Sequence, residues 1–163
     1  MQNKETKKIA LVPRQKSFWP YLLISLVVIV LLIAGGWYLY KKSTETNYIK
    51  ADINGQSYYL ELADTDALRK RGLSERDGIK ENGGMLFDFK QESDWRMWMV
   101  QMRFPIDIIW LNSDKMIVHI KNNATPAEYP EVYKSLEPSR YVIELPEDAV
   151  EKLKIKVGDN ISF

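Results

Sequence analysis

Apolar residues are arranged in two ways along this chain. From Tyr21 to Tyr40 they are nearly continuous, twenty residues without a charge and dense in Leu, Ile and Val. From Tyr48 onward they alternate with polar residues or come in short runs. The first pattern predicts one helix long enough to cross a bilayer's hydrocarbon core, which takes about 20 apolar residues. Eleven strong apolar residues lie between Leu22 and Ile33, and nothing charged opposes them. Pro20 fits the first helical position, where a missing N–H has no partner to lose. Trp19 and Tyr21 at one end, and Trp37, Tyr38 and Tyr40 at the other, suit the headgroup layers.

The second pattern predicts short strands. Ile49, Ala51 and Ile53 alternate before Asn54-Gly55, and Tyr58, Leu60 and Leu62 alternate after it. Because Asn and Gly accept the positive φ of a two-residue turn, this reads as a hairpin. Asp64 or Thr65 can cap a short helix through Arg71, stopped by Gly72. Further strands are expected at Met85–Phe89, Trp95–Met99, Ile106–Leu111, Met116–Lys121, Tyr141–Leu145 and Asn160–Phe163, and a second short helix at Pro146–Leu153. Asn122 to Ser139 holds three prolines and reads as a long ordered loop. Many short strands with few helices predict a mainly β fold: a small antiparallel sandwich or partly closed barrel with one or two short helices, preceded by the transmembrane helix.

Charge divides the chain in the same places. The segments expected are a basic tail (1–18), the helix (19–40), a linker (41–47) and a β-rich domain (48–163). Residues 1–47 hold seven basic and two acidic residues, a net of +5, whereas residues 48–163 hold sixteen basic and twenty acidic, a net of −4. A domain of negative net charge is a poor match for nucleic acid, whose phosphates select a cationic face. The basic tail suits anionic lipid. Lys4, Lys7, Lys8, Arg14 and Lys16 before the helix, against Lys41, Lys42 and Lys50 after it, favour an inside N-terminus and a domain outside the cytoplasm, with the helix retained as a signal anchor of a single-pass membrane protein. There is no cysteine, so thiolate chemistry and disulfides are excluded.

Five motifs in consistent order have a familiar cast: Arg71-Gly72-Leu73-Ser74 with Arg76, Gly84-Met85-Leu86-Phe87-Asp88-Phe89, Trp98-Met99 followed by Pro105 to Leu111, Tyr141-Val142-Ile143-Glu144-Leu145-Pro146, and Val157-Gly158-Asp159. Together they resemble the domain-of-unknown-function 192 family over about Leu62 to Phe163. The resemblance implies a compact, mainly β domain, frequently exported or membrane-anchored, with no established activity or cofactor. This chain departs from the pattern where Met99 runs into Val100-Gln101-Met102 instead of a Lys-Asn-Thr-like stretch. It also lacks the cysteine that many members carry before the Tyr141 strand.

Candidate chemistry is sparse. His119 is the single histidine, too few for a zinc site or a serine triad, and reads as a half-exposed strand residue. No Gly-x-Ser-x-Gly elbow and no phosphate-binding Gly-Lys-Ser/Thr ending occur. Asp107 lies in an apolar run on the face of Ile109 and Leu111, so it needs a partner, with Arg71, Arg76, Arg96 and Arg103 as candidates. Glu144 raises the same question between Ile143 and Leu145. Met97, Met99 and Met102, interleaved with Trp95 and Trp98, supply thioethers that suit Cu(I), although methionines also fill cores. The expected function is a binding or assembly module for an envelope component, without a cofactor and monomeric, using Arg71, Arg76, Trp98, Asp107 and Glu144. The alternatives are an acid–base enzyme using Asp107 or Glu144, and a methionine-rich Cu(I) binder.

Overall fold

The computed structural model describes residues 19–43 and 47–163. The chain divides into two compact units, residues 1–45 and 46–163. In the first, helix α1 runs from Trp19 to Ser43. Its described apolar side chains between Leu23 and Leu39 are all exposed. Among the described residues no helix is long and apolar enough to cross a membrane. This corrects the membrane, signal-anchor and single-pass reading: the helix is present as α1, but no described helix meets the length and apolarity that a bilayer crossing takes. The basic tail, on which the orientation depended, lies outside the described residues.

The second unit is built from β1 (Tyr48–Ile53), β2 (Gln56–Ala63), α2 (Asp66–Arg71), β3 (Gly83–Ser93), β4 (Arg96–Trp98), β5 (Ile106–Leu111), β6 (Ile117–Ala124), β7 (Val132–Lys134), β8 (Ser139–Pro146) and α3 (Ala149–Lys152). Six strands form one sheet in the order β1-β2-β3-β8-β5-β6, and β4 pairs with β7 in a second, two-stranded sheet. The hairpin forms as expected, with Asn54 at φ +48° and Gly55 at φ +82°. The side chain of Thr65 accepts the N–H of Leu68 to cap α2, and Gly72 at φ +50° turns the chain out of the helix.

Two features differ from the expected antiparallel sandwich or partly closed barrel. The large sheet is mixed, because β2 and β3 run parallel. A parallel neighbour needs a crossover connection of a dozen residues or more, and α2 with its following loop supplies it. Nor is the sheet a closed barrel, since its strand order ends at β1 and β6. Locally, Asn160–Phe163 makes only the isolated bridges of Asn160 to Met116 and Ser162 to Asp52. Pro146 ends β8 instead of starting a helix, and the 122–139 segment contains β7 and a 3-10 turn, Pro126–Glu128.

Strand alternation divides the core in two. On one face Leu60, Leu86, Ile109, Ile143 and Leu145 pack with Ala149, Val150 and Leu153. On the other, Phe87, Ile108, Trp110 and Val142 pack with Leu73, Met97, Met99 and Tyr133. Each buried Leu, Ile or Phe contributes about 1.5–3 kcal/mol, so both layers are needed to hold a domain without disulfides. β5 is buried along its whole length and separates the layers. Asp107 therefore lies inside the first layer, at 1% exposure.

Candidate functional site

The second face of the sheet carries a cavity of about 530 Å³. Its floor is Glu144 of β8, a central strand in register with Met85 of β3 and Ile108 of β5. Alternation places Glu144 on the same face as Val142, inside an otherwise apolar layer. It is 5% exposed, and its Oε2 is fully buried with no hydrogen-bond partner. Burial pushes its carboxyl up from the ordinary 4.5 to about 8, opposed by the charge of Arg76. At neutral pH Glu144 is therefore mainly a carboxylic acid, which can donate a hydrogen bond as well as accept one.

Aromatic rings form the wall. Phe87 and Phe89 project from the same face of β3, and Phe89 stacks on Trp95 with centroids 4.1 Å apart and planes inclined by 11°. Arg69 lies over Phe89 at 5.5 Å and donates to the carbonyl of Asp88 at 2.8 Å, which fixes the stack. The two sides of the mouth are tied by Ser74 Oγ donating to the carbonyl of Val100 at 2.9 Å, and by the Glu75 N–H donating to the carbonyl of Gln101 at 2.8 Å. Trp98, 49% exposed, lines the same cavity, as do Lys70 and Arg71. Among the described residues neither of these two side chains has an ion pair or hydrogen bond.

Three of the sequence candidates thus meet at one cavity: Arg71, Trp98 and Glu144. Arg76 does not line it. Its guanidinium grips Glu61 in a two-pronged salt bridge, Nη1 to Oε1 at 2.5 Å and Nη2 to Oε2 at 2.8 Å, and that bond raises its pKa. Asp107 does not line it either. None of the four arginines proposed as its partner holds it; Oδ1 accepts the N–H of Asn123 and Oδ2 that of Val150, each at 2.8 Å. His119 is half-buried and lies against Trp110, with ring centroids 5.2 Å apart. Met97 and Met99 belong to the second core layer and Met102 packs against it; Met97 and Met102 also line the cavity, whereas Met99, 1% exposed, does not. Thioethers in such a layer fill gaps against aromatic rings.

The residues missed in the sequence are Lys70, Ser74, Phe89 and Trp95. A signal for two of them was present, since Phe87 and Phe89 share a face by alternation and Arg69-Lys70-Arg71 is a cationic run closing α2.

Comparison with known proteins agrees with this architecture. The pattern of the DUF192 family, described as "Uncharacterized ACR", matches residues 49–163. The chain belongs to this family. A UPF0127 protein of Thermococcus gammatolerans is 31% identical over 64% of this chain and 66% of its own length. Another from Thermococcus kodakarensis is 28% identical over 64% of each. The match therefore spans just under two thirds of these relatives. A crystal structure of a "putative transcription regulator" from Sinorhizobium meliloti superimposes with a TM-score of 0.64 at 33% identity, covering 72% of this chain and 96% of that one. A protein of unknown function from Novosphingobium aromaticivorans gives 0.68 at 25% identity, covering 74% and 88%. The segments that resemble the family contribute Arg71, Ser74, Phe87, Phe89, Trp98 and Glu144 to the cavity, although they are far apart in the chain.

Proposed function

We propose that the β domain is a binding module that takes an organic ligand with an apolar body into the cavity above Glu144. The observation that carries this reading is Glu144, a buried acid that lines an aromatic cavity and whose Oε2 has no hydrogen-bond partner. An unmade hydrogen bond at a buried polar group costs roughly 1–3 kcal/mol, and a fold gains nothing from keeping one. A ligand oxygen accepting from the protonated acid removes that cost. The rings of Phe87, Phe89 and Trp95 supply the apolar contact, as in most small-molecule sites. The envelope origin expected for the ligand depended on the membrane-crossing helix and is not carried forward.

A second reading uses the same acid. A carboxyl titrating near 8 beside a cavity is suited to general acid–base work at neutral pH. Of the two lining hydroxyls, Ser74 donates to the Val100 carbonyl and Ser93 donates to Asp94 Oδ1 at 3.4 Å at an exposed position, and neither bonds to Glu144. Binding is therefore the better supported of the two. The regulator named in the Sinorhizobium structure suggests DNA, but this domain has a net charge of −4 and its longest described helix has six residues. We propose no nucleic-acid partner for it.

Replacing Glu144 tests the binding reading. Glu144→Leu keeps approximate volume and removes the polar group, whereas Glu144→Gln keeps a donor. With a panel of uncharged aromatic probes carrying a carbonyl or sulfonyl oxygen, thermal shift should show binding to the wild type and to Glu144→Gln, and none to Glu144→Leu. The Leu variant should also melt higher than the wild type, because functional polar groups are held against stability. Equal binding by the Leu variant rejects the reading.

A further inference from the structure

A second cavity, of about 520 Å³, adjoins the first. Lys70, Arg71, Ser74, Trp98 and Val100 line both, so the two meet along one shared wall. Beyond that wall the second cavity is bounded by Tyr129, Pro130 and Val132, and Tyr129 and Val132 are about half exposed, at 53% and 48%. The two cavities open on either side of this wall, which the Ser74 Oγ bond to the Val100 carbonyl ties together, and form one cleft across it. Lys70 and Arg71 stand on the wall, Glu75 lines the second cavity, and Glu144 and Asp94, the latter paired with Arg96, line the first.

The other cations lining the cleft are already engaged. Arg69 pairs with Asp66, and Arg96 with Asp94 at 3.4 Å. Lys70 and Arg71 are the two lining cations without such a partner among the described residues. Two adjacent positive charges at the junction of two apolar cavities select an anion there, and guanidinium in particular matches the two oxygens of a carboxylate. Trp98 at the same junction offers its ring to an apolar arm on either side.

We infer that the cleft takes an elongated monoanion whose carboxylate sits between two apolar arms: the carboxylate at Lys70 and Arg71, one arm carrying a hydrogen-bond acceptor down to Glu144, and the other arm on Tyr129 and Pro130. This rests on the binding function proposed above and specifies its ligand class. An amino acid bearing an aromatic side chain and an aromatic sulfonyl or acyl group on nitrogen has the carboxylate between two aromatic arms, with the acceptor at the root of one of them.

Dansyl-phenylalanine is such a molecule and reports its own binding by fluorescence. Dansyl-glycine lacks the second arm, and dansyl-phenylalaninamide lacks the charge. Titrated into the intact chain, dansyl-phenylalanine should bind at one saturable site at least tenfold more tightly than either. Lys70→Gln with Arg71→Gln should weaken the acid tenfold or more and the amide less than threefold. Tyr129→Ala should weaken dansyl-phenylalanine and leave dansyl-glycine unchanged. If the amide binds as tightly as the acid, or the double variant binds the acid normally, the inference is overturned. Should both of those ligands still lose binding in Glu144→Leu, the cavity function stands without it. If no dansyl compound responds to Glu144→Leu, the binding function itself fails.

Discussion

Asp107, near the start of β5, accepts the backbone N–H of Val150 across 2.8 Å and so supplies from a distant strand a partner that the first turn of α3 lacks. Helix N-termini leave N–H groups unsatisfied, and here the nominal cap, Asp148, makes no side-chain cap bond. The other Asp107 oxygen takes the N–H of Asn123 in β6, so one carboxylate ties β5, β6 and α3 together. This is a structural role with both oxygens occupied.

Asp107→Ala should therefore destabilise the domain by about 3 kcal/mol or more, since hydrogen bonds to a charged acceptor contribute about 1.5–3 kcal/mol each and two are lost. Asp107→Asn retains one acceptor and turns its amide toward the other N–H, and should cost roughly half as much. Urea unfolding of the two variants measures this. A loss below 1 kcal/mol for Asp107→Ala, on the scale typical of a surface substitution, contradicts the role.

Stability should also fall with rising pH, because Glu144 titrates at about 8 in the folded domain and near 4.5 when unfolded. Between those values the native state holds a proton that the unfolded chain releases, so the contribution is complete below pH 4.5 and is lost as pH rises through 8. The slope contributed by this one group is up to about 1.4 kcal/mol per pH unit. Glu144→Gln has no such proton and should flatten the profile over that window. A wild-type profile that matches the Gln variant refutes the buried acid.

Local features were legible in the sequence and distant pairings were not. Asn54-Gly55 fixes its turn through φ alone, and Thr65 with Gly72 delimits α2 within eight residues, so pattern reading located both. The burial of Asp107 followed from its alternation with Ile109 and Leu111. Its partner lies 43 residues away and is a backbone group, which residue types cannot announce. β7 escaped notice because its three residues are defined by pairing with β4 and not by periodicity. The parallel β2–β3 pair depended on the path of the crossover loop, for which polar composition carries no direction. Glu144 was suspect as an acid among apolar residues, but the cavity above it is assembled from α2, β3 and the segment around Trp98, which meet only in the fold.

Arg76 is positioned to tune that acid while held elsewhere. Its positive charge favours the ionised form of Glu144, and its fork to Glu61 keeps it in place. Arg76→Gln should raise the Glu144 titration above 8 and weaken the hold on Glu61. Carboxyl-detected NMR titration of Glu144 reads the first effect. A Glu144 titration that is unchanged or moves downward would show that Arg76 does not act on the cavity floor.

Gly84 sets the position of the same floor. A Cβ built there would lie 2.5 Å from the carbonyl oxygen of Glu144 and 2.8 Å from Leu60 Cδ2. Leu60 is a side chain that could turn, but the carbonyl belongs to the backbone of a central strand and cannot yield without moving β8. Gly84→Ala should therefore cost about 1–3 kcal/mol, the usual range for overpacking a filled core. Moving β8 also moves the Glu144 carboxyl relative to Phe89 and Trp95, whose stack is fixed independently by Arg69. Probe binding should fall together with stability in Gly84→Ala. Gly78→Ala is the control, since a Cβ there meets nothing within 4 Å. It should leave both unchanged. Denaturant unfolding and probe titration on the two variants give the comparison, and a Gly84→Ala protein as stable as Gly78→Ala would show that β3 and β8 are not packed this closely beneath the cavity.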